Sequence, residues 1–434
     1  MAVGRLSVMS HPRGPLSQLR RGHEELVLGL LRKHGPLSRG ELGKLCRLSR
    51  TTLYDILAEL ISTGAVVTAT QQDDTPRGRG RPAETLTLNP DAGQAIGIDF
   101  ARRALHVAAV NLAHEIVGAA SEPHDADLPW EQRVELAERL IGSLSKGDLR
   151  LGALSAIGVG VVGPVGGPDS RTDDDTPHPA QVLVRERFGV PVLLDNNARL
   201  AALGEAIWGA AAGGQDVLYL RLSHGVGGGL VIAGSLHRGA YGLSGEFGHI
   251  MVDPQGPPCS CGGSGCLETV ASIRAVLDAY RAAGGRADDV PGLIKAVEAG
   301  DATALGLLEG VGTNIGGVLA ALCNAIGPSA IVVGGELAAI GAALFQPIER
   351  TLHARVMPIS RHRITLRPAT LGEAAGALGG IALVLHESPL LSRYPAGPDL
   401  AQEDPMNHPR PMTERSEVIH ERSTLVMRPA KEGS

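Results

Sequence analysis

Gly245-Glu246-Phe247-Gly248-His249, followed by Cys259-Ser260-Cys261-Gly262-Gly263-Ser264-Gly265-Cys266-Leu267-Glu268, decides how the rest of the chain is read. Three of the five cysteines fall within eight residues, and a histidine lies ten residues upstream of the first. Three thiolates and one imidazole complete a tetrahedral zinc shell with no position left for water, so such a site shapes a loop and does no chemistry. His249, Cys259, Cys261 and Cys266 are therefore expected to hold one structural zinc per chain. The glycines at 262, 263 and 265 let the backbone fold tightly enough to bring Cys261 and Cys266 onto one ion. The competing reading is three buried or disulfide-bonded cysteines. Glu246 and Glu268 bracket the ligands and would be held rigidly by them. Carboxylates fixed around a small cavity suit a polyhydroxylated ligand.

Outside this segment, 434 residues are enough for two or three domains with a sizeable core. No run of eighteen apolar residues and no charged-then-apolar leader occurs, so a soluble cytoplasmic protein with no membrane partner is expected. The cysteine usage fits a reducing compartment, with Cys46 and Cys323 as plain core residues in apolar helical patterns. The net charge of -6 hides an asymmetry: residues 1–90 hold 13 Lys/Arg against 8 Asp/Glu, a surplus of +5 that leaves -11 for the remainder. A small basic head on an acidic body suggests that the head meets a polyanion.

The head has its own pattern. Residues 1–16 read as a disordered lead and 17–90 as one unit. Its first helix carries Leu26, Val27, Leu30 and Leu31 and stops at Gly35-Pro36. Ser38 and Glu41 form a capping box for a second helix with Leu42 and Leu45 as its apolar face, and Ser49 caps a third running through Leu53, Ile56, Leu57 and Leu60. Ala65–Val67 and Glu84–Leu88 read as a hairpin whose tip is Arg77-Gly78-Arg79-Gly80-Arg81-Pro82. Three helices and a basic hairpin make a winged helix-turn-helix. Arg50, Thr51, Thr52 and Tyr54 stand where a recognition helix enters the major groove of double-stranded DNA. Arg77, Arg79 and Arg81, interleaved with glycine and proline, are slim enough to enter a minor groove. A three-helix adaptor with no DNA role would leave those arginines without a use.

From Ala95 onward strands alternate with helices. Ala95–Asp99, Leu105–Val110 and Ile157–Val162 read as strands, with a helix over Pro129–Ser145. Val217–Leu222, Gly228–Ala233 and Ala330–Gly335 repeat the plan, with a long helix over Leu307–Ile326. Two α/β halves with glycine turns suggest a cleft between lobes. After Leu385 periodicity is lost, and 388–434 reads as a disordered tail.

Residues 18–386 resemble a transcriptional regulator of the ROK family, which groups repressors, open reading frames and sugar kinases. The resemblance is carried by Gly245–His249, the zinc run ending in Cys266-Leu267-Glu268, Leu203-Gly204-Glu205 after Asp195-Asn196-Asn197, Gly225-Val226-Gly227-Gly228-Gly229, and the winged head. It implies an actin-like, hexokinase-like two-lobed body over 91–387, preceded by an α+β winged helix-turn-helix, assembled as a homodimer or homotetramer.

Departures from the family's kinases separate two functions. Those kinases begin with Asp-x-Gly-Gly-Thr, whose glycine amides wrap ATP phosphates; here the place reads Asp99-Phe100-Ala101-Arg102-Arg103, with side chains expected to crowd the phosphate path. The second loop, Ser223-His224-Gly225-Val226-Gly227-Gly228-Gly229, is half preserved, as a structural turn would also require. The motif Asn-Asp-x-Asn falls on Asn196-Asn197-Ala198-Arg199, so the aspartate that deprotonates the sugar is Asn197. An amide cannot take that proton at neutral pH, and losing a general base costs about 10²–10⁴-fold in rate.

By the resemblance, Asn196, Glu246, His249 and Glu268 hold sugar hydroxyls, and Asn197 retains hydrogen-bonding capacity toward the ligand. The stretch Gly163–Gln181, which shapes the sugar pocket in relatives, is short, acidic and proline-interrupted here. The expectation is a repressor of carbohydrate genes without kinase activity, binding a palindromic operator under control of a sugar or sugar phosphate. The alternative is a sugar kinase with an appended DNA-binding head.

Overall fold

The computed structural model describes residues 23–24, 26–31, 34–62, 64–69, 85–89, 94–111, 116–144, 154–165 and 177–387. The expected lead at 1–16, the wing tip with Arg77, Arg79 and Arg81, and the tail at 388–434 lie outside the described residues.

Ser38 starts the first helix of the turn-linked pair as a reciprocal cap. Its hydroxyl accepts from the Glu41 amide at 3.3 Å, and its own amide donates to Glu41 Oε2 at 2.8 Å. The helix Arg39–Cys46 ends at Arg47, which adopts a left-handed φ of 51°. Ser49 caps the next helix, Arg50–Ser62, by accepting from the Thr52 amide at 3.1 Å. Leu53, Ile56, Leu57 and Leu60 form its buried stripe, as their spacing requires. Two expectations need correction. Leu42 pairs with Cys46 in the core while Leu45 is exposed, since positions four apart share a face. Likewise Val27, Leu28 and Leu31 are buried in the preceding helical stretch, and Leu26 is exposed.

Three short strands, β1 (Leu37–Ser38), β2 (Val66–Ala69) and β3 (Thr85–Leu88), form an antiparallel sheet in the order β1-β3-β2. Two residues carry no alternation, so β1 has no sequence signature. Helices plus this hairpin sheet are the architecture of a winged helix-turn-helix.

The body is mixed α/β and built twice on one plan. The first sheet, in the order β6-β5-β4-β7-β8, contains β4 (Gln94–Phe100), β5 (Ala104–Asn111), β6 (Ile116–Pro123), β7 (Leu154–Val161) and β8 (Val192–Asn196). The second, in the order β11-β10-β9-β12-β13, contains β9 (Val217–Leu222), β10 (Val226–Ile232), β11 (Ser235–His237), β12 (Ala330–Gly334) and β13 (Thr365–Pro368). In each, an antiparallel three-strand meander is extended by two parallel strands. This repeat is the hexokinase-like pair of lobes.

Two helices, Asn197–Ile207 and Ala375–Glu387, join the sheets. They touch backbone to backbone: a Cβ at Gly379 would lie 1.8 Å from the Leu200 carbonyl oxygen. The head's Val27, Leu57, Leu86 and Leu88 belong to one apolar cluster with Ala95, Ala108 and Val110 of the first sheet and with Ala377, Ile381 and Val384 of the latter helix.

Helix Ala302–Ile326 is long and apolar enough to cross a membrane by length and composition, a property its interrupted apolar runs hid in the sequence. Here Leu308, Ile315 and Leu319 bury it in the core of the second lobe, where Cys323 is also buried.

Candidate functional site

The metal-type cluster forms as its spacing implies. The loop after β11 makes a 3-10 turn at Phe247–His249 and then doubles back, with isolated bridges pairing Met251 with Cys266 and Pro258 with Ser264. Gly265 must be glycine, because a Cβ there would lie 1.6 Å from the Asp253 carbonyl oxygen. One ligand atom from each of His249, Cys259, Cys261 and Cys266 lies within 4.8 Å of the others. A tetrahedral zinc with bonds of about 2.3 Å to sulfur and about 2.0 Å to nitrogen implies edges of about 3.8 Å between sulfurs and about 3.5 Å from sulfur to nitrogen. Cys261 Sγ to Cys266 Sγ is 3.7 Å and Cys259 Sγ to His249 Nδ1 is 3.5 Å. The four residues fit a metal ion of that size. The Gly263 amide lowers the Cys261 thiol, whereas burial pushes the Cys266 thiol up to about 12, so a bound cation would have to displace that proton.

His249 turns Nδ1 to the thiols and Nε2 toward Glu246, whose Oε2 is 3.9 Å away. Both side chains are half-buried. Glu268 closes the metal loop and accepts the Val226 amide at 2.9 Å, pinning the loop's end to the start of β10. The metal loop thus holds one carboxylate, Glu268, and places a second, Glu246, beside the free imidazole nitrogen, donors and acceptors suited to hydroxyl groups.

The glycine run on β10 has a packing reason. A Cβ at Gly228 would meet the buried Phe247 ring at 2.5 Å, and one at Gly229 would meet Arg199 Cα at 2.8 Å. Its retention therefore needs no phosphate. In the first loop Phe100 does not crowd a phosphate path. It is buried edge-on against Trp130, with ring centroids 5.3 Å apart, while Arg102 and Arg103 are exposed.

Asn196 and Asn197 have structural partners. Asn196 caps helix Asn197–Ile207 by accepting from the Ala198 and Arg199 amides, and it donates to the Gly163 carbonyl at 2.8 Å. Asn197 is 5% exposed and donates to Asp99 Oδ1 at 3.0 Å. Asp99, buried at the end of β4, lies 3.9 Å from Arg221 through its other oxygen.

Arg199 escaped the sequence reading, although by the resemblance it stands where the Asn-Asp-x-Asn motif has its last asparagine. It is 1% exposed and salt-bridged to the equally buried Asp195, which also receives Arg238 Nε at 2.5 Å. That departure from the motif was the one signal able to reveal it.

In the head, Arg50, Thr51 and Tyr54 are exposed at the start of helix Arg50–Ser62, Tyr54 at 64%. Arg39 lies over the Tyr54 ring at 5.8 Å, a neighbour the sequence did not suggest. Thr52 is less accessible, and its hydroxyl is engaged with Ser49 at 2.7 Å.

Comparison with known proteins places this geometry. The DNA-binding transcriptional repressor Mlc of Escherichia coli (strain K12) is 27% identical over 88% of this chain and 98% of its own length. A glucokinase of Halalkalibacterium halodurans is 38% identical, but over 48% of this chain and 68% of its own. A solved ROK family transcriptional regulator, a homologue of the E. coli Mlc protein, superimposes with a TM-score of 0.71 at 25% identity, covering 86% of this chain and 98% of that one. The regulators match beyond the body into the head, and the kinase does not. The ROK family model itself matches residues 95–387, the whole two-lobed body. The chain belongs to the ROK family.

Proposed function

We propose that this chain is a sugar-responsive, DNA-binding transcriptional regulator, a repressor of carbohydrate-metabolism genes without kinase activity. Residues 17–90 act as the winged helix-turn-helix and 91–387 as the effector body, in a cytoplasmic homodimer or homotetramer on a palindromic operator. What carries the reading is the helix-turn-helix pair, with Arg50, Thr51 and Tyr54 exposed at the N-terminal end of its second helix. That end of a recognition helix is the part that reaches base edges.

The sugar or sugar phosphate is held by Glu246, Glu268 and the Nε2 side of His249, with Asn196 and the buried Asn197 beside it at the start of helix Asn197–Ile207. One structural zinc on His249, Cys259, Cys261 and Cys266 would keep that loop in shape. Kinase chemistry is disfavoured on two grounds. Asn197 cannot act as a base, and its amide is already committed to Asp99. Ligand binding then acts on the head mechanically. Helix Asn197–Ile207 borders the sugar site, helix Ala375–Glu387 packs on it without a side-chain cushion, and the head's apolar core continues from the latter. A two-state shift of these helices would alter the spacing of paired heads.

Arg50→Ala should relax sequence preference, since one base-edge contact is worth about 1–3 kcal/mol. Replacing Arg77, Arg79 and Arg81 together should weaken binding across many sequences and flatten the salt dependence, as loss of phosphate or groove contacts does. Fluorescence anisotropy on a selected operator and on scrambled duplexes measures both. DNA binding that survives deletion of residues 1–90 would overturn the reading.

A further inference from the structure

Two buried or partly buried arginines share one buried carboxylate at the junction of the lobes. Asp195 lies on β8 of the first sheet, and Arg199 lies one turn into the helix that follows it. Arg238 follows β11 at the edge of the second sheet.

Every N–H direction of the Arg199 guanidinium has an acceptor. Nε and Nη2 reach Asp195 Oδ1 at 2.7 Å, and Nη2 also donates to the Val165 carbonyl at 3.0 Å. Nη1 donates to the Gly242 carbonyl and, at 3.4 Å, to that of Ser244. Val165 belongs to the loop after β7, in the first lobe; Gly242 and Ser244 belong to the loop after β11, in the second. The latter loop closes on itself through the Ser244 amide and the Arg238 carbonyl at 3.1 Å, and it leads directly into Gly245 and Glu246. Asp195 Oδ2 holds the base of the same loop through Arg238 Nε. The loop that delivers Glu246 is therefore gripped at both ends by one carboxylate–arginine cluster.

A guanidinium placed only for stability would be an unusual choice at a fully buried position, where an ion pair contributes little over well-packed apolar residues. Its planar fork is suited to something else, namely fixing several carbonyls of separate segments in one geometry. We propose that Asp195, Arg199 and Arg238 form an inter-lobe latch. It positions the Glu246-bearing loop against the Gly163–Val165 loop and so sets the affinity of the sugar site. This rests on the sugar reading given above. Arg199 and Arg238 are positioning residues in it, acting through Glu246 and not on the ligand.

The test uses the full chain and Arg238→Gln, a partly exposed position, because Arg199→Ala would strand a buried carboxylate and threaten the fold. Arg199→Lys serves as the second variant, keeping the charge but not the fork. Hydrogen–deuterium exchange is read at residues 238–249 and 158–165. Affinity is read by titration calorimetry with D-glucose, D-xylose and N-acetyl-D-glucosamine, each free and phosphorylated. Arg238→Gln, which removes the Nε donor to Asp195 Oδ2, should speed exchange in both segments. It should also weaken whichever probe the wild type binds by about 2- to 30-fold, with metal content unchanged. Faster exchange confined to 238–249, or unchanged affinity in both variants, would overturn the latch. If the wild type binds none of the probes, the sugar reading fails, and the exchange at 158–165 still decides the latch.

Discussion

Cys261→Ser is expected to lower bound zinc from about one equivalent per chain to near none and to destabilise the protein by about 4 kcal/mol, the range seen when a structural metal is lost. The thiol is exposed, so the substitution removes almost no packing, and any large effect reports the metal alone. Because Glu268 pins the loop to β10 and Glu246 sits 3.9 Å from His249, sugar binding should fall with the metal. Elemental analysis and urea unfolding measure the first two effects. Wild-type protein that is metal-free yet equally stable and functional would remove the zinc from the scheme.

Asn197→Asp places an aspartate where the resemblance puts the kinases' base, and it is nevertheless expected to give no kinase. The new carboxylate would face buried Asp99 at the 3.0 Å now spanned by a hydrogen bond. Two like charges there replace a donor–acceptor pair, which should destabilise the fold by about 2–3 kcal/mol near neutral pH. Arg221, at 3.9 Å from Asp99, offsets part of that repulsion. A coupled assay with ATP and glucose should find no turnover in wild type or variant. Turnover at ordinary kinase rates, about 1–100 s⁻¹, in either protein would favour the kinase alternative.

Local chemistry made much of this protein legible. The capping box at Ser38 and Glu41, the cap at Ser49 and the stripe Leu53–Leu60 were readable because each depends on residues within one or two turns. The cysteine and histidine cluster was readable because metal geometry constrains spacing within one loop. Edge strands such as β6, β8 and β13 were missed, since exposed or short strands lack a clean alternation. The joining helices Asn197–Ile207 and Ala375–Glu387 were missed for another reason. Glycines and alanines let them pack backbone on backbone, which erases the amphipathic pattern. Long-range polar partners were also invisible: nothing in the sequence links Asn197 to Asp99, or Arg199 to Gly242. Those contacts give Asn196 and Asn197 structural partners that the sequence did not suggest, and they exposed a charged cluster at the lobe junction.

The regulator reading is tested most directly by the operator affinity of the full, metal-loaded chain, measured by fluorescence anisotropy with and without the sugar that stabilises it most in a thermal-shift panel. Sequence-selective binding at nanomolar concentration, changed about 5- to 150-fold by the sugar, as a coupling free energy of about 1–3 kcal/mol implies, is the expected result. The same sugar should leave the DNA affinity of Glu246→Gln nearly unchanged. DNA binding without sequence preference, or selective binding that no sugar alters while ATP is consumed, would contradict it.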